Sequence, residues 1–240
     1  MSSLLALDSS TETLVVALSL ESGLHAHESE GGGRASEQMV PQAMALLAQA
    51  GLELAQLDAI AFAAGPGAFT GLRTACAVAQ GLAFGAARPV IPVDSLLLVA
   101  EDLRLQQGPA GLPGICWVLM DARMNEVYAA AYCWQGDRWD TLRAPALYGL
   151  PALIEALRDL PPQAAAGNAL TVFAQELAPV LPAGLVQASQ ARSRAAALGS
   201  LARQAFLAGT AIDAAEAVPV YVRDKVAQTT AERQAAKGVA

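Results

Sequence analysis

Apolar and polar positions alternate in blocks through the first half of this chain. Residues 4–8 and 14–20 read as strands joined by a polar turn, and a polar connection containing Gly31-Gly32-Gly33 follows. Met39, Val40, Ala43, Leu46, Leu47 and Ala50 recur at helical spacing. They predict a helix over about 36–50, with Ser36 as its N-cap and Gly51 just past its end. After Asp58 the unbroken apolar run 59–64 predicts a strand buried on both faces, and Gly65-Pro66-Gly67 a sharp exit from it. Thr70 is placed to cap a long helix over about 71–87, whose only polar side chains are Arg73, Thr74 and Gln80. An extended segment at 89–93 and a helix over about 95–104 complete this half.

The run Gly108-Pro109-Ala110-Gly111-Leu112-Pro113-Gly114 then reads as a linker. It divides the chain into an N-terminal lobe over 1–107 and a C-terminal lobe over 115–225, followed by a polar tail over 226–240. The second half opens as the first does. Leu5-Ala6-Leu7-Asp8 aligns with Val118-Leu119-Met120-Asp121, and after a short turn Leu14-Val15-Val16-Ala17 aligns with Val127-Tyr128-Ala129-Ala130. Strand, Asp at the strand end, tight turn and returning strand recur on either side of the linker, the pattern of a duplicated lobe.

The segment Gly65-Pro66-Gly67-Ala68-Phe69-Thr70-Gly71-Leu72-Arg73 is built for close approach of backbone to something. Glycines between a strand and a helix suit phosphate binding, but neither G-x-x-x-x-G-K-[ST] nor G-x-G-x-x-G is present and no lysine is near. The residues alone favour the plainer reading, a turn that lets a small-residue helix pack tightly. The helix over 71–87 is apolar nearly all round, so its outer side meets either a third layer of this chain or a partner subunit.

A chain of 240 residues with 54% hydrophobic content supplies a sizeable core. The start of the chain lacks the basic and apolar regions of a secretory signal, and Cys76, Cys116 and Cys133 are scattered in apolar surroundings as core residues are. These features point to a cytoplasmic protein without a membrane segment. The formal net charge of −7 argues against a chain that grips nucleic acid by itself. Metal-dependent hydrolysis lacks ligands, since the chain has only His25 and His27, in a polar stretch, and no G-x-S-x-G accompanies a base for serine catalysis.

Four segments carry a family resemblance: Leu5-Ala6-Leu7-Asp8-Ser9-Ser10-Thr11, the glycine-rich loop 65–73, Asp121-Ala122-Arg123-Met124-Asn125-Glu126-Val127-Tyr128 and Pro219-Val220-Tyr221-Val222-Arg223. Together, in this order and over nearly the whole length, they resemble the bacterial TsaB proteins. The resemblance implies an α/β fold of two duplicated, ribonuclease H-like lobes, as in actin and the heat-shock-chaperone ATPases, with a degenerate nucleotide site. It further implies a non-catalytic subunit in the transfer of threonylcarbamoyl to N6 of the adenosine 3′ of certain anticodons, in tRNAs reading codons that begin with A. The implied partners are a TsaD-type catalytic subunit and a TsaE-type ATPase, with tRNA met indirectly through the complex, a homodimer when alone, and no metal or cofactor.

In active ATPases of that fold each first hairpin turn approaches the phosphates, with glycine two positions after the Asp. Here Asp8 is followed by Ser9-Ser10, and Asp121 by Ala122-Arg123. Asp8 and Arg123 are therefore the candidate remnants of a nucleotide site, against the alternative that Asp8 and Asp121 accept backbone N–H groups two residues on and merely hold the turns. Arg123 and Glu126 are placed to pair. Many TsaB relatives carry histidine at the position of Ala35, and TsaD two metal-binding histidines on that helix, none of which is present here. The resemblance also implies pairing through the helices over 36–50 and 71–87, with Met39, Ala43, Leu46, Leu72, Cys76, Ala79 and Ala83 as anchors. On that reading a charge at Ala79 or Ala83 breaks the pair without unfolding the monomer. An ATP-dependent phosphotransferase of the same fold, and a metal-dependent glycopeptidase, are the alternatives.

Overall fold

The computed structural model describes residues 2–108 and 111–223. The tail over 226–240 and residues 109–110 of the expected linker lie outside the described residues. The first sheet comprises β1 (Leu4–Asp8), β2 (Thr13–Leu20), β3 (Gly23–Glu30), β4 (Ala59–Gly65) and β5 (Val90–Asp94), in the order β3-β2-β1-β4-β5. The second comprises β6 (Ile115–Asp121), β7 (Glu126–Trp134), β8 (Trp139–Gly149), β9 (Ala164–Ala166) and β10 (Val186–Ala188), ordered β8-β7-β6-β9-β10. In each, the first three strands form an antiparallel meander and the last two add in parallel. Strand for strand the two sheets have one topology, as the aligned hairpins predict.

The helices are α1 (Ala35–Ala50), α2 (Phe69–Ala86), α3 (Ser95–Gln106), α4 (Leu150–Asp159), α5 (Ala169–Val172), α6 (Ala174–Leu177) and α7 (Arg194–Leu207). They cover both faces of each sheet, which is why β1 and β4 are apolar at successive positions instead of alternating. On β1, Leu5 and Leu7 enter the core under α1 and α2, whereas Leu4 and Ala6 enter the core under α7. The helix α3 serves both lobes. Its Leu98 packs with the first sheet, and its Leu96, Val99, Ala100 and Leu103 pack with β6, β7 and β9. Although it follows the second sheet in sequence, α7 returns to β1 and β2 through Ala195, Leu198 and Leu201. The layers run α1/α2, first sheet, α3/α7, second sheet, α4 to α6.

Three local expectations need correction. The polar stretch 23–30 is an edge strand, β3, bonded along its whole length to β2. Ser36 is not the cap of α1, which begins at Ala35 straight after a 3-10 turn over Gly32–Arg34. Thr70 is not the cap of α2, which starts at Phe69 after an extended Ala68 that makes no side-chain cap. Hydroxyl residues near a helix start are candidate caps only if the backbone is still extended there, and here both already sit in the first turn. Gly51 does close α1, in the left-handed conformation at φ 68°. Among the described residues no helix is long and apolar enough to cross a membrane.

Candidate functional site: the cleft between the lobes

The turns that join β1 to β2 and β6 to β7 have equal length and face each other across a cleft of about 310 Å³. Ser10 and Thr11 line it from the first turn, and Asp121 and Arg123 from the second. In both turns the Asp accepts the N–H two residues on: Ser10 N to Asp8 Oδ1 at 2.7 Å and Arg123 N to Asp121 Oδ1 at 2.9 Å. These are Asx turns, in which a side chain substitutes for a backbone acceptor and fixes the hairpin.

The other oxygen of Asp8 is also taken. Arg194, at the start of α7, donates from Nε at 3.0 Å and Nη2 at 2.5 Å to Asp8 Oδ2, and Nη2 reaches Ser10 Oγ at 3.1 Å. Both side chains are buried, Asp8 completely. Asp8 thus stands behind Arg194, which itself lines the cleft. Of Arg192 and Arg194, only Arg194 turns inward; Arg192 is exposed and gives its backbone N–H to Asp102.

Arg123 is exposed and projects from the second turn toward both Asp121, at 3.4 Å, and Glu12 of the first turn, at 4.0 Å. The expected Arg123–Glu126 pair does not form: Glu126 binds Arg223 at 2.7 Å. Arg123, Met124 and Asn125 have φ of 65°, 58° and 60°. Three successive non-glycine residues in the left-handed region are uncommon, and they occupy the turn where active ATPases of this fold use glycine.

The glycine-rich loop approaches protein, not empty space. A Cβ on Gly71 stands 1.7 Å from Ser9 O, and one on Gly67 stands 2.4 Å from Ser10 O. Ala68 N donates to Ser10 O at 2.7 Å, and Ser9 Oγ to Gly71 O at 2.8 Å. The loop is thereby clamped on the first hairpin turn.

Next to Ser95 and Leu96, which line the cleft, Asp94 caps α3. Its Oδ1 accepts Leu96 N and Leu97 N, and its Oδ2 accepts the Tyr132 hydroxyl of β7 at 2.5 Å, joining the two sheets. Burial pushes the Asp94 carboxyl above the ordinary carboxylate range, against the pull of its Tyr132 and backbone donors. Burial first, and then the charge of Asp94, pushes the Tyr132 phenol well above its ordinary value. Ser95 Oγ, beside them, is buried without a hydrogen-bond partner. Among the described residues no group of three His, Cys, Asp or Glu side chains is placed to hold a metal ion.

The seven anchors expected on α1 and α2 all point inward. Met39, Ala43, Leu46, Cys76, Ala79 and Ala83 lie in the core between these helices and the first sheet, and Leu72 is buried at the cleft wall beside Gly65. A charge at Ala79 or Ala83 is therefore a core substitution, which corrects the expectation that it spares the fold. The same helices present Val40, Met44 and Phe84 to solvent, exposed by 38%, 45% and 80%. Sequence reasoning missed Arg194, Asp94, Tyr132 and Arg223, whose partners lie 186, 38, 38 and 97 positions away in the chain. Only the Asp-Ser opening of α3, a cap signal at Asp94, was visible locally.

Residues 17–232 match the family model described as TsaD: tRNA N6-adenosine threonylcarbamoyltransferase. The chain is similar to the tRNA threonylcarbamoyladenosine biosynthesis protein TsaB of Haemophilus influenzae, 46% identical over 127 residues that make up 52% of this chain and 51% of that protein. With the Escherichia coli protein of the same name it is 29% identical over 239 residues, 93% of this chain and 96% of the other. A crystal structure from Pseudomonas aeruginosa, titled as an uncharacterised protein with similarity to peptidase YeaZ, superimposes with a TM-score of 0.80 at 34% identity, covering 93% of this chain and all of that one. An Arthrobacter polyphosphate/ATP-glucomannokinase, at 13% identity and a TM-score of 0.50 over 87% of this chain, shares the two-lobed actin-like fold alone. The chain belongs to the TsaB family, within the wider family that the TsaD model describes.

Proposed function

We propose that this chain is a non-catalytic scaffold subunit for threonylcarbamoyl transfer to N6 of the adenosine 3′ of the anticodon, in tRNAs reading codons that begin with A. It acts in the cytoplasm with a TsaD-type catalytic subunit and a TsaE-type ATPase. The observation that carries this reading is the engagement of Asp8: one carboxylate oxygen holds its own turn, the other holds Arg194, and the fully buried carboxylate does not line the cleft where a nucleotide's metal or water would sit. The crowded, left-handed turn at Arg123 supports it on the opposite wall. The relatives in H. influenzae and E. coli bear the name of tRNA threonylcarbamoyladenosine biosynthesis proteins, which supports a part in making that modification. With a net charge of −7, the holding of tRNA falls to the partner. Pairing, with TsaD or with a second copy when alone, is assigned to α1 and α2, where Val40, Met44 and Phe84 form the outer surface over the seven buried residues.

The test is threonylcarbamoyl transfer to unmodified tRNA in a purified system of adenylate donor, TsaD and TsaE, with and without this chain. Activity is expected to require the chain and to be unchanged by Arg123→Ala, a substitution at an exposed side chain. Transfer at full rate without the chain overturns the reading, as does turnover of Mg-ATP by the chain alone.

A further inference from the structure

The segment Pro219–Val220–Tyr221–Val222–Arg223 crosses the mouth of the cleft, and its last four residues form part of the cleft wall. It is held at one end by the first lobe. Val220 N donates to Ala64 O at 2.7 Å, beyond the end of the β1–β4 pairing. Val220 O lies 2.4 Å from the point a Cβ on Gly65 would take, at a residue with φ 128°, so glycine at that position is what admits the segment. The Tyr221 ring packs 5.2 Å from Phe69, its hydroxyl accepts Arg73 Nε at 2.9 Å, and the Arg73 guanidinium lies 3.8 Å over the Phe69 ring. The other end belongs to the second lobe. Arg223 Nη2 donates to Ala122 O at 2.9 Å and to Glu126 Oε2 at 2.7 Å, at the two ends of the strained turn.

Three residue steps separate the Val220 and Arg223 attachments, a backbone span of at most about 11 Å for extended chain. A segment this short, fixed on both lobes, has little slack. The arginines of the cleft wall each already have a carboxylate partner. The N–H groups of Leu96 and Leu97 at the start of α3 are taken by Asp94, and Arg194 and Arg223 are already paired with Asp8 and Glu126. We propose that residues 219–223 are an internal occupant of the cleft, a strap that fixes the angle between the lobes and must detach before they separate. The inference is independent of the scaffold reading.

Energetic coupling between two ends of one connection is reciprocal, and that separates a strap from two local contacts. The measurement is amide hydrogen exchange by mass spectrometry on the full chain and on Arg223→Gln and Tyr221→Ala. Cutting the second-lobe attachment with Arg223→Gln is expected to speed exchange about tenfold in the first-lobe segments 9–13 and 66–70, as well as in 122–126. Tyr221→Ala is expected to do the same to 122–126, on the lobe it does not touch. The interiors of β1, β4, β6 and β7 keep wild-type protection. Acceleration confined to the lobe that lost its own contact, for both variants, overturns the proposal. Should either variant fail to fold, Arg223→Lys and Tyr221→Phe, which keep charge and ring, are read by the same cross-lobe criterion.

Discussion

A fully buried carboxylate is tolerated when its charge is met, and Asp8 meets two donors on one oxygen and one on the other. Removing only the cation leaves the charge without its partner, a change that costs about 3–5 kcal/mol in buried pairs, whereas removing both charges is often close to neutral. Arg194→Met is therefore expected to lose about that much stability in urea denaturation. The double variant Asp8→Asn with Arg194→Met, which keeps an acceptor for Ser10 N–H, is expected to recover most of it. Simple additivity of the two single losses is the outcome that contradicts a coupled pair. The Asx turns at Asp8 and Asp121 were legible because their partners are two residues away, within the reach of a sequence pattern. Arg194 was not, since nothing local to an arginine after Ser193 distinguishes a surface charge from one turned onto a strand end. The Asp94–Tyr132 tie between the two sheets is hidden for the same reason.

Helix α2 shows what periodicity can and cannot decide. Its near-uniform apolarity signals that part of it is buried, but it does not say which side faces the sheet, because alanine, glycine and leucine occur all round, and the outer side is in fact exposed. Packing resolves it. Ala75, Cys76, Ala79 and Ala83 join the core that α1 and α2 make with the first sheet, Leu72 is buried at the cleft wall, and Ala77 and Phe84 face outward. Ala79→Glu consequently places a charge in a dry core and is expected to lower stability by at least about 3 kcal/mol, seen as a collapse of the thermal midpoint. Phe84→Glu is expected to leave that midpoint within about 2 °C of wild type, as surface substitutions do in a chain of this size. If α1 and α2 carry the pairing, the same variant abolishes co-elution with the TsaD-type partner. Retained co-elution moves the pairing surface elsewhere. The edge strand β3 was illegible for a related reason: its Gly-Leu-His-Ala-His-Glu-Ser-Glu sequence offers no apolar alternation, and its position is set by hydrogen bonds to β2.

The duplicated plan of the whole molecule was readable from two aligned hairpins, but the way the halves are joined was not. A division at 108–114 suggests two units that could unfold separately. The layer between the sheets argues otherwise. α3 buries one side against each sheet, α7 is joined to α3 by Glu101 accepting Ser200 Oγ and by Asp102 accepting Arg192 N and Ser193 N, and Tyr132 ties β7 to Asp94. Separating the lobes strips α3 from one of its two cores, so neither lobe keeps a complete one. We therefore propose that the described fold behaves as one cooperative unit, and the placement of its chromophores makes this measurable. Trp117, Trp134 and Trp139 all lie on the second sheet, while α1 and α2, the two longest helices, lie on the first. Tryptophan fluorescence is thus weighted toward the second sheet, and helical circular dichroism toward the first, on which α1, α2 and α7 pack. Their urea midpoints are expected to coincide, as two-state unfolding requires. A fluorescence midpoint displaced from the dichroism midpoint by more than about 0.5 M urea would instead give each lobe its own stability, with α3 remaining folded on the survivor.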